Sequence, residues 1–125
     1  MKDYVLERTP KTPKIQASAK GEILIEGISI PEDVSKHFED FMIWLNEYCK
    51  TPSDKTVLNI KLAYFNTSSA ALLLNIFKSL LKLKSPDKQV IINWFFEKGD
   101  VEIEESGYDF ASLINLEFNV ICYEK

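Results

Sequence analysis

Between Val57 and Phe96 the spacing of apolar residues changes twice, and no other feature of the chain restricts its fold as much. Leu58, Ile60, Leu62 and Tyr64 fall on one side of an extended segment and Asn59, Lys61 and Ala63 on the other, which is the two-residue period of a strand. Val90, Ile92, Trp94 and Phe96 repeat the pattern, with Asn93 opposite. From Thr67 to Lys84 the apolar residues recur instead at helical spacing. A strand, a helix and a second strand at these lengths predict a right-handed parallel crossover, since the twist of the strands lets the helix pack back on the sheet only that way. The strands alternate and are not apolar throughout, so helices should cover mainly one face of the sheet and leave the other partly open.

The flanking segments extend this α/β pattern. Ile15–Ala17 and Glu22–Glu26, joined by the polar Ser18-Ala19-Lys20-Gly21, read as a hairpin. Before it, Thr9-Pro10-Lys11 and Thr12-Pro13-Lys14 repeat, and two prolines predict that residues 1–14 form an extended arm entering an edge strand. The alternative use of this repeat is a pair of Thr-Pro phosphorylation sites. Pro31-Glu32-Asp33 opens a helix from Val34 to Lys50, with Val34, Phe38, Phe41, Leu45, Tyr48 and Cys49 on its apolar face. His37 flanks that face near Trp44 and reads as a packing or surface histidine. Gly99–Asn115 is expected to carry a third helix, with Val101, Phe110, Leu113 and Ile114 as apolar contacts and Gly107 weakening its middle. Phe118–Tyr123 completes the series as a last strand. One α/β domain spanning residues 1–125 follows, with a mixed sheet.

Charge and composition exclude several kinds of function. The 125 residues carry 15 Lys and Arg against 19 Asp and Glu, a net charge of -4, and so lack the basic face that phosphate backbones require. No nucleic-acid partner is expected. Nor is membrane insertion, because no run of ~18 apolar residues is present and the charged N-terminus is unlike a signal sequence; the cytoplasm is the expected location. Cys49, Cys122 and His37 are too few and too scattered for structural zinc. Phosphate-binding glycine loops, a nucleophile elbow and the paired-histidine zinc motif are absent, and Asp100, Glu102, Glu104, Glu105 and Asp109 lack calcium-loop spacing. Neither a cofactor nor a metal nor a catalytic residue is predicted. The acidic group reads as a solvated face.

The segment Tyr64-Phe65-Asn66-Thr67-Ser68-Ser69-Ala70 stands where the central strand meets the strong helix. One of its polar side chains is needed to cap the first turn, which contributes ~1 kcal/mol. Four are present. A phosphoryl group on one of the hydroxyls would meet free backbone N–H groups and the positive end of the helix dipole. Along the helix Ala70, Leu73, Leu74, Phe77, Leu80 and Leu81 make a core stripe, while Leu72, Ile76 and Leu83 stand on a second apolar flank. Either a neighbouring helix covers that flank or a partner does. A competing use of the open sheet face is small-ligand binding by Asn59, Lys61 and Asn93.

Three segments carry a resemblance to a known family: Leu58-Asn59-Ile60-Lys61-Leu62-Ala63-Tyr64-Phe65-Asn66-Thr67-Ser68-Ser69, Val90-Ile91-Ile92-Asn93-Trp94-Phe95 and Thr12-Pro13-Lys14-Ile15. Through them the chain resembles the SiaC family of bacterial regulatory phosphoproteins along nearly its whole length. The resemblance implies a STAS-like fold, as in anti-sigma-factor antagonists, and a phosphorylated threonine matching Thr67, with Ser68 and Ser69 as alternatives. It also implies a dedicated SiaB-like Ser/Thr kinase related to anti-sigma-factor kinases, a SiaA-like PP2C-type phosphatase, and a SiaD-like diguanylate cyclase that the unphosphorylated form binds and activates. Cyclic di-GMP and biofilm growth would be the output; an anti-sigma-type switch with another effector is the alternative. The expected partner surface comprises Tyr64, Phe65, Asn66, Ser68, Ser69, Leu72, Ile76 and Leu83.

Overall fold

A computed structural model describes residues 1–124. In chain order its elements are β1 (Tyr4–Leu6), β2 (Lys14–Ala17), β3 (Glu22–Ser29), α1 (Val34–His37), α2 (Glu39–Lys50), β4 (Lys55–Phe65), α3 (Thr67–Leu81), β5 (Gln89–Glu97), α4 (Val101–Leu113) and β6 (Glu117–Tyr123). The six strands lie in one mixed sheet in the order of the sequence. The pairs β1–β2 and β2–β3 are antiparallel, and β3 to β6 run parallel. Each parallel connection steps the same way across the sheet, and right-handed crossovers that never reverse direction place their helices on a single face. Burial follows: Leu58, Ile60 and Leu62 are buried, whereas Val57, Asn59 and Lys61 on the other face are half-exposed. The expected mixed α/β fold, with helices mainly on one face, is what the chain adopts.

Several local expectations need correction. The N-terminal arm is not extended throughout. Tyr4–Leu6 is itself the edge strand, and the first Thr-Pro repeat is a turn in which the Thr9 hydroxyl accepts from the backbone N–H groups of Lys11 and Thr12. The helix expected from Val34 to Lys50 is broken at Phe38, whose backbone (φ -96°, ψ 6°) leaves the helical region while its ring enters the core. Past that break Phe41, Trp44 and Tyr48 stack in sequence, and the Trp44 indole donates to the Lys2 carbonyl at 2.8 Å. His37 meets the Phe38 ring edge-on at 4.9 Å, as a packing histidine would. Both cysteines are free; burial pushes the Cys49 thiol up, with Lys82 opposing it.

Phe110 in α4 and Ile114 just after it are buried as expected, but Val101 and Leu113 are exposed and Ile103 takes the inner position. Gly107 has a purpose that propensity does not reveal. A Cβ there would stand 2.5 Å from Cδ1 of Trp94, so the missing side chain lets the helix lie directly on the indole, whose N–H donates to the Ile103 carbonyl at 2.9 Å.

Candidate phosphoacceptor site

The carboxyl end of β4 delivers the chain to α3 through an irregularity. Gly27 of β3 pairs with Leu62 and Ile28 with Tyr64, so Ala63 is an extra residue in β4. Such a bulge reverses the parity of everything after it. Tyr64, expected on the core face with Leu62, is therefore 54% exposed, and Phe65 turns inward to meet the Trp94 ring edge-on at 5.7 Å.

Asn66 then caps the helix from extended backbone, its side-chain oxygen accepting from the Ser69 N–H at 2.9 Å. The same oxygen accepts from the Ser68 hydroxyl at 3.1 Å. Ser69 points inward and is 1% exposed; its hydroxyl donates to the Ser29 carbonyl at 2.9 Å and lies 2.7 Å from the Ser29 hydroxyl. Thr67 is exposed, and among the described residues its hydroxyl has no hydrogen-bond partner. Of the three neighbouring hydroxyls it alone is both accessible and uncommitted. It stands at the positive end of a 15-residue helix, where a phosphate would find unpaired N–H donors and a favourable dipole.

The second apolar flank of α3 is not an open surface. Ile76 is fully buried, Leu83 is 9% exposed and Leu72 is half-buried, because α1 and α2 pack against this helix. The core stripe is rotated accordingly: Leu73, Ile76, Phe77 and Leu80 are buried, while Leu74 and Leu81 are only half-buried. Sequence reasoning also missed Ser29, the buried partner of Ser69. Its signal was present, since Ile23, Ile25, Gly27 and Ser29 share the inner face of β3 and a hydroxyl at the end of that row needs a partner.

On the open face, Asn93 donates to the Asn59 side chain at 2.9 Å, and Asn119 donates to Asn93 at 3.0 Å. Lys61 lies 4.2 Å above the centre of the Tyr123 ring. These groups satisfy one another. Asn59 and Lys61 line separate shallow clefts and Asn93 lines neither, so the three do not converge on a ligand. Burial, then the nearby carboxylates Glu97, Asp100 and Glu26, push the Tyr123 phenol up, which marks a local concentration of negative charge near the carboxyl ends of the strands.

Comparison with known proteins places the fold. In structure, apo-SiaC from Pseudomonas aeruginosa matches with a TM-score of 0.89 at 24% identity, covering 97% of this chain and 99% of that one. The SiaC chain in a crystal structure of the diguanylate cyclase SiaD with its activator SiaC, from the same organism, matches at 0.90 and 22% identity over 97% and 100%. In sequence, an uncharacterized protein of Pseudomonas aeruginosa (strain UCBPP-PA14) is 22% identical over the full length of both chains. The class is that of regulatory phosphoproteins: the family model described as SiaC family regulatory phosphoprotein matches residues 6–123. The chain belongs to the SiaC family.

Proposed function

We propose that this chain is a non-catalytic partner-switching protein of the cytoplasm whose state is set by phosphate on Thr67. The observation that carries the reading is the contrast among three adjacent hydroxyls: Thr67 is exposed and, among the described residues, unpaired, Ser68 is bonded to Asn66, and Ser69 is buried against Ser29. A dedicated Ser/Thr kinase adds the group. The Thr67 oxygen attacks the γ-phosphorus of ATP, a new O–P bond forms as the bond to the β-phosphate oxygen breaks, ADP leaves, and the hydroxyl proton passes to a base of the kinase. A PP2C-type phosphatase reverses the state by hydrolysis, releasing inorganic phosphate. The modification places roughly -1.5 to -2 charges on one loop.

The related SiaC is the activator of the diguanylate cyclase SiaD. By extension, the unphosphorylated form of this chain binds and activates a diguanylate cyclase, and cyclic di-GMP and biofilm growth are its output. With Ser69, Ile76 and Leu83 buried, the expected partner surface is reduced to the exposed Tyr64 and Ser68 and the half-buried Phe65, Asn66 and Leu72, which surround Thr67.

Intact mass before and after incubation with the anti-sigma-factor-type kinase of the same host and Mg-ATP tests the acceptor. The wild-type chain gains one phosphoryl group, mapped to Thr67, and Thr67→Ala gains none while still stimulating the host's diguanylate cyclase. Phosphate on another residue of the wild-type chain overturns the assignment. Thr67→Asp, with one charge and no tetrahedral array of oxygens, should stimulate less than wild type; full stimulation would count against an electrostatic switch.

A further inference from the structure

We propose that Ser29 and Ser69 are positioning residues that confine phosphoryl acceptance to Thr67, an inference that rests on reading Thr67 as the acceptor. The two side chains are 2% and 1% exposed, and their bonds account for every hydroxyl proton in the pair. Ser69 gives its proton to the Ser29 carbonyl at 2.9 Å, so across the 2.7 Å between the two oxygens Ser29 is the donor and Ser69 the acceptor. Ser69 thus has neither access to a kinase nor a free proton to surrender. The same Ser29 carbonyl accepts from the Asn66 N–H at 3.1 Å, and Asn66 holds the Ser69 N–H and the Ser68 hydroxyl. One carbonyl at the end of β3 therefore fixes both ends of the Asn66–Ser69 turn. Thr67 and Ser68 lie between those fixed points and both are exposed, but the Ser68 hydroxyl is held by Asn66, which leaves Thr67 as the uncommitted one among the described residues.

The clamp reaches further than the acceptor. Ile30, next to Ser29, donates to the Lys11 carbonyl at 2.8 Å, which ties the turn made by the first Thr-Pro repeat to the same strand end. Ser69→Ala removes both bonds of its hydroxyl and leaves that of Ser29 buried without a partner. Ser29→Ala removes only the bond between hydroxyls, since Ser69 can still donate to the backbone carbonyl. The two variants should therefore form a graded series.

Phosphorylation by the host's anti-sigma-factor-type kinase, followed by peptide mapping of the phosphate, tests the clamp. For Ser69→Ala we expect kcat to fall ~10-fold with KM nearly unchanged, as for a reactive group displaced within an otherwise intact substrate. Part of the phosphate should appear on Ser68. Ser29→Ala should show the same changes to a smaller extent. A purely structural role would lower the melting temperature yet leave all phosphate on Thr67, so exclusive Thr67 labelling at wild-type kcat in a folded Ser69→Ala chain overturns the proposal. If Ser69→Ala shows no cooperative melting, Ser29→Ala decides by the same criteria. A wild-type chain that takes its phosphate elsewhere refutes the acceptor reading itself, an outcome separate from loss of fidelity in the variants.

Discussion

Gly107 illustrates how a single residue can be read correctly by propensity and wrongly in effect. Within a helix, glycine costs about 1 kcal/mol relative to alanine, so Gly107→Ala ought to stabilise α4. The added methyl would instead stand 2.5 Å from Trp94, a ring that is 1% exposed and has no room to retreat. Overpacking of this kind costs roughly 1–3 kcal/mol, which exceeds the propensity gain. Gly107→Ala should accordingly unfold at lower urea, with a net loss of about 1 kcal/mol; a midpoint equal to wild type would mean that α4 shifts without penalty. The proposed acceptor segment stood out more plainly. Its run of Asn, Thr and Ser at a strand-to-helix junction exceeds what capping needs, since a cap uses only one such side chain. Which hydroxyl remains free depends on Ser29, forty residues away in sequence from Ser69, and local pattern carries no such distance.

At the scale of elements, periodicity located the strands and helices well but not the surfaces against which they pack. The apolar arc of α3 was broad enough for two neighbours, and α1 and α2 occupy the second side. The bulge at Ala63 was invisible for a different reason: Tyr64 and Phe65 are adjacent aromatics, so either parity gives an acceptable inward residue. The break at Phe38 likewise lies within an unbroken amphipathic pattern. What the sequence did indicate is the start of α3, and it makes a prediction at this scale. Asn66→Ala removes the side-chain acceptor of the Ser69 N–H and should cost ~1 kcal/mol in urea unfolding while also releasing the Ser68 hydroxyl. An unchanged midpoint would indicate that water caps the helix as well as Asn66 does.

For the molecule as a whole, the strand order sets one face under helices and leaves the sheet with two edges, β1 and β6. The β1 edge is built from the arm, and it does more than lengthen the sheet. Tyr4 approaches the Phe41 ring at 5.8 Å, Lys2 supplies the carbonyl for the Trp44 indole at 2.8 Å, and Asp3 accepts from the Ala19 N–H of the hairpin turn at 2.9 Å. The first residues thereby fasten α2 to the hairpin. Deleting residues 1–8 removes β1, its pairing with β2 and the Asp3 hydrogen bond; the aromatic pair and the bond to the largely buried indole alone contribute about 1 kcal/mol each, so the loss should be at least about 2 kcal/mol. It would also uncover the edge of β2, inviting association between chains. Trp44 is 8% exposed, so its fluorescence reports the loss directly. A red-shifted emission with a lower urea midpoint is expected, whereas an unaltered spectrum would mean that the arm is dispensable to this side of the core. Because Ile30 is tied to Lys11 outside the deleted segment, the proposed clamp should survive, and if Thr67 is the acceptor, phosphorylation of the truncated chain should remain confined to it.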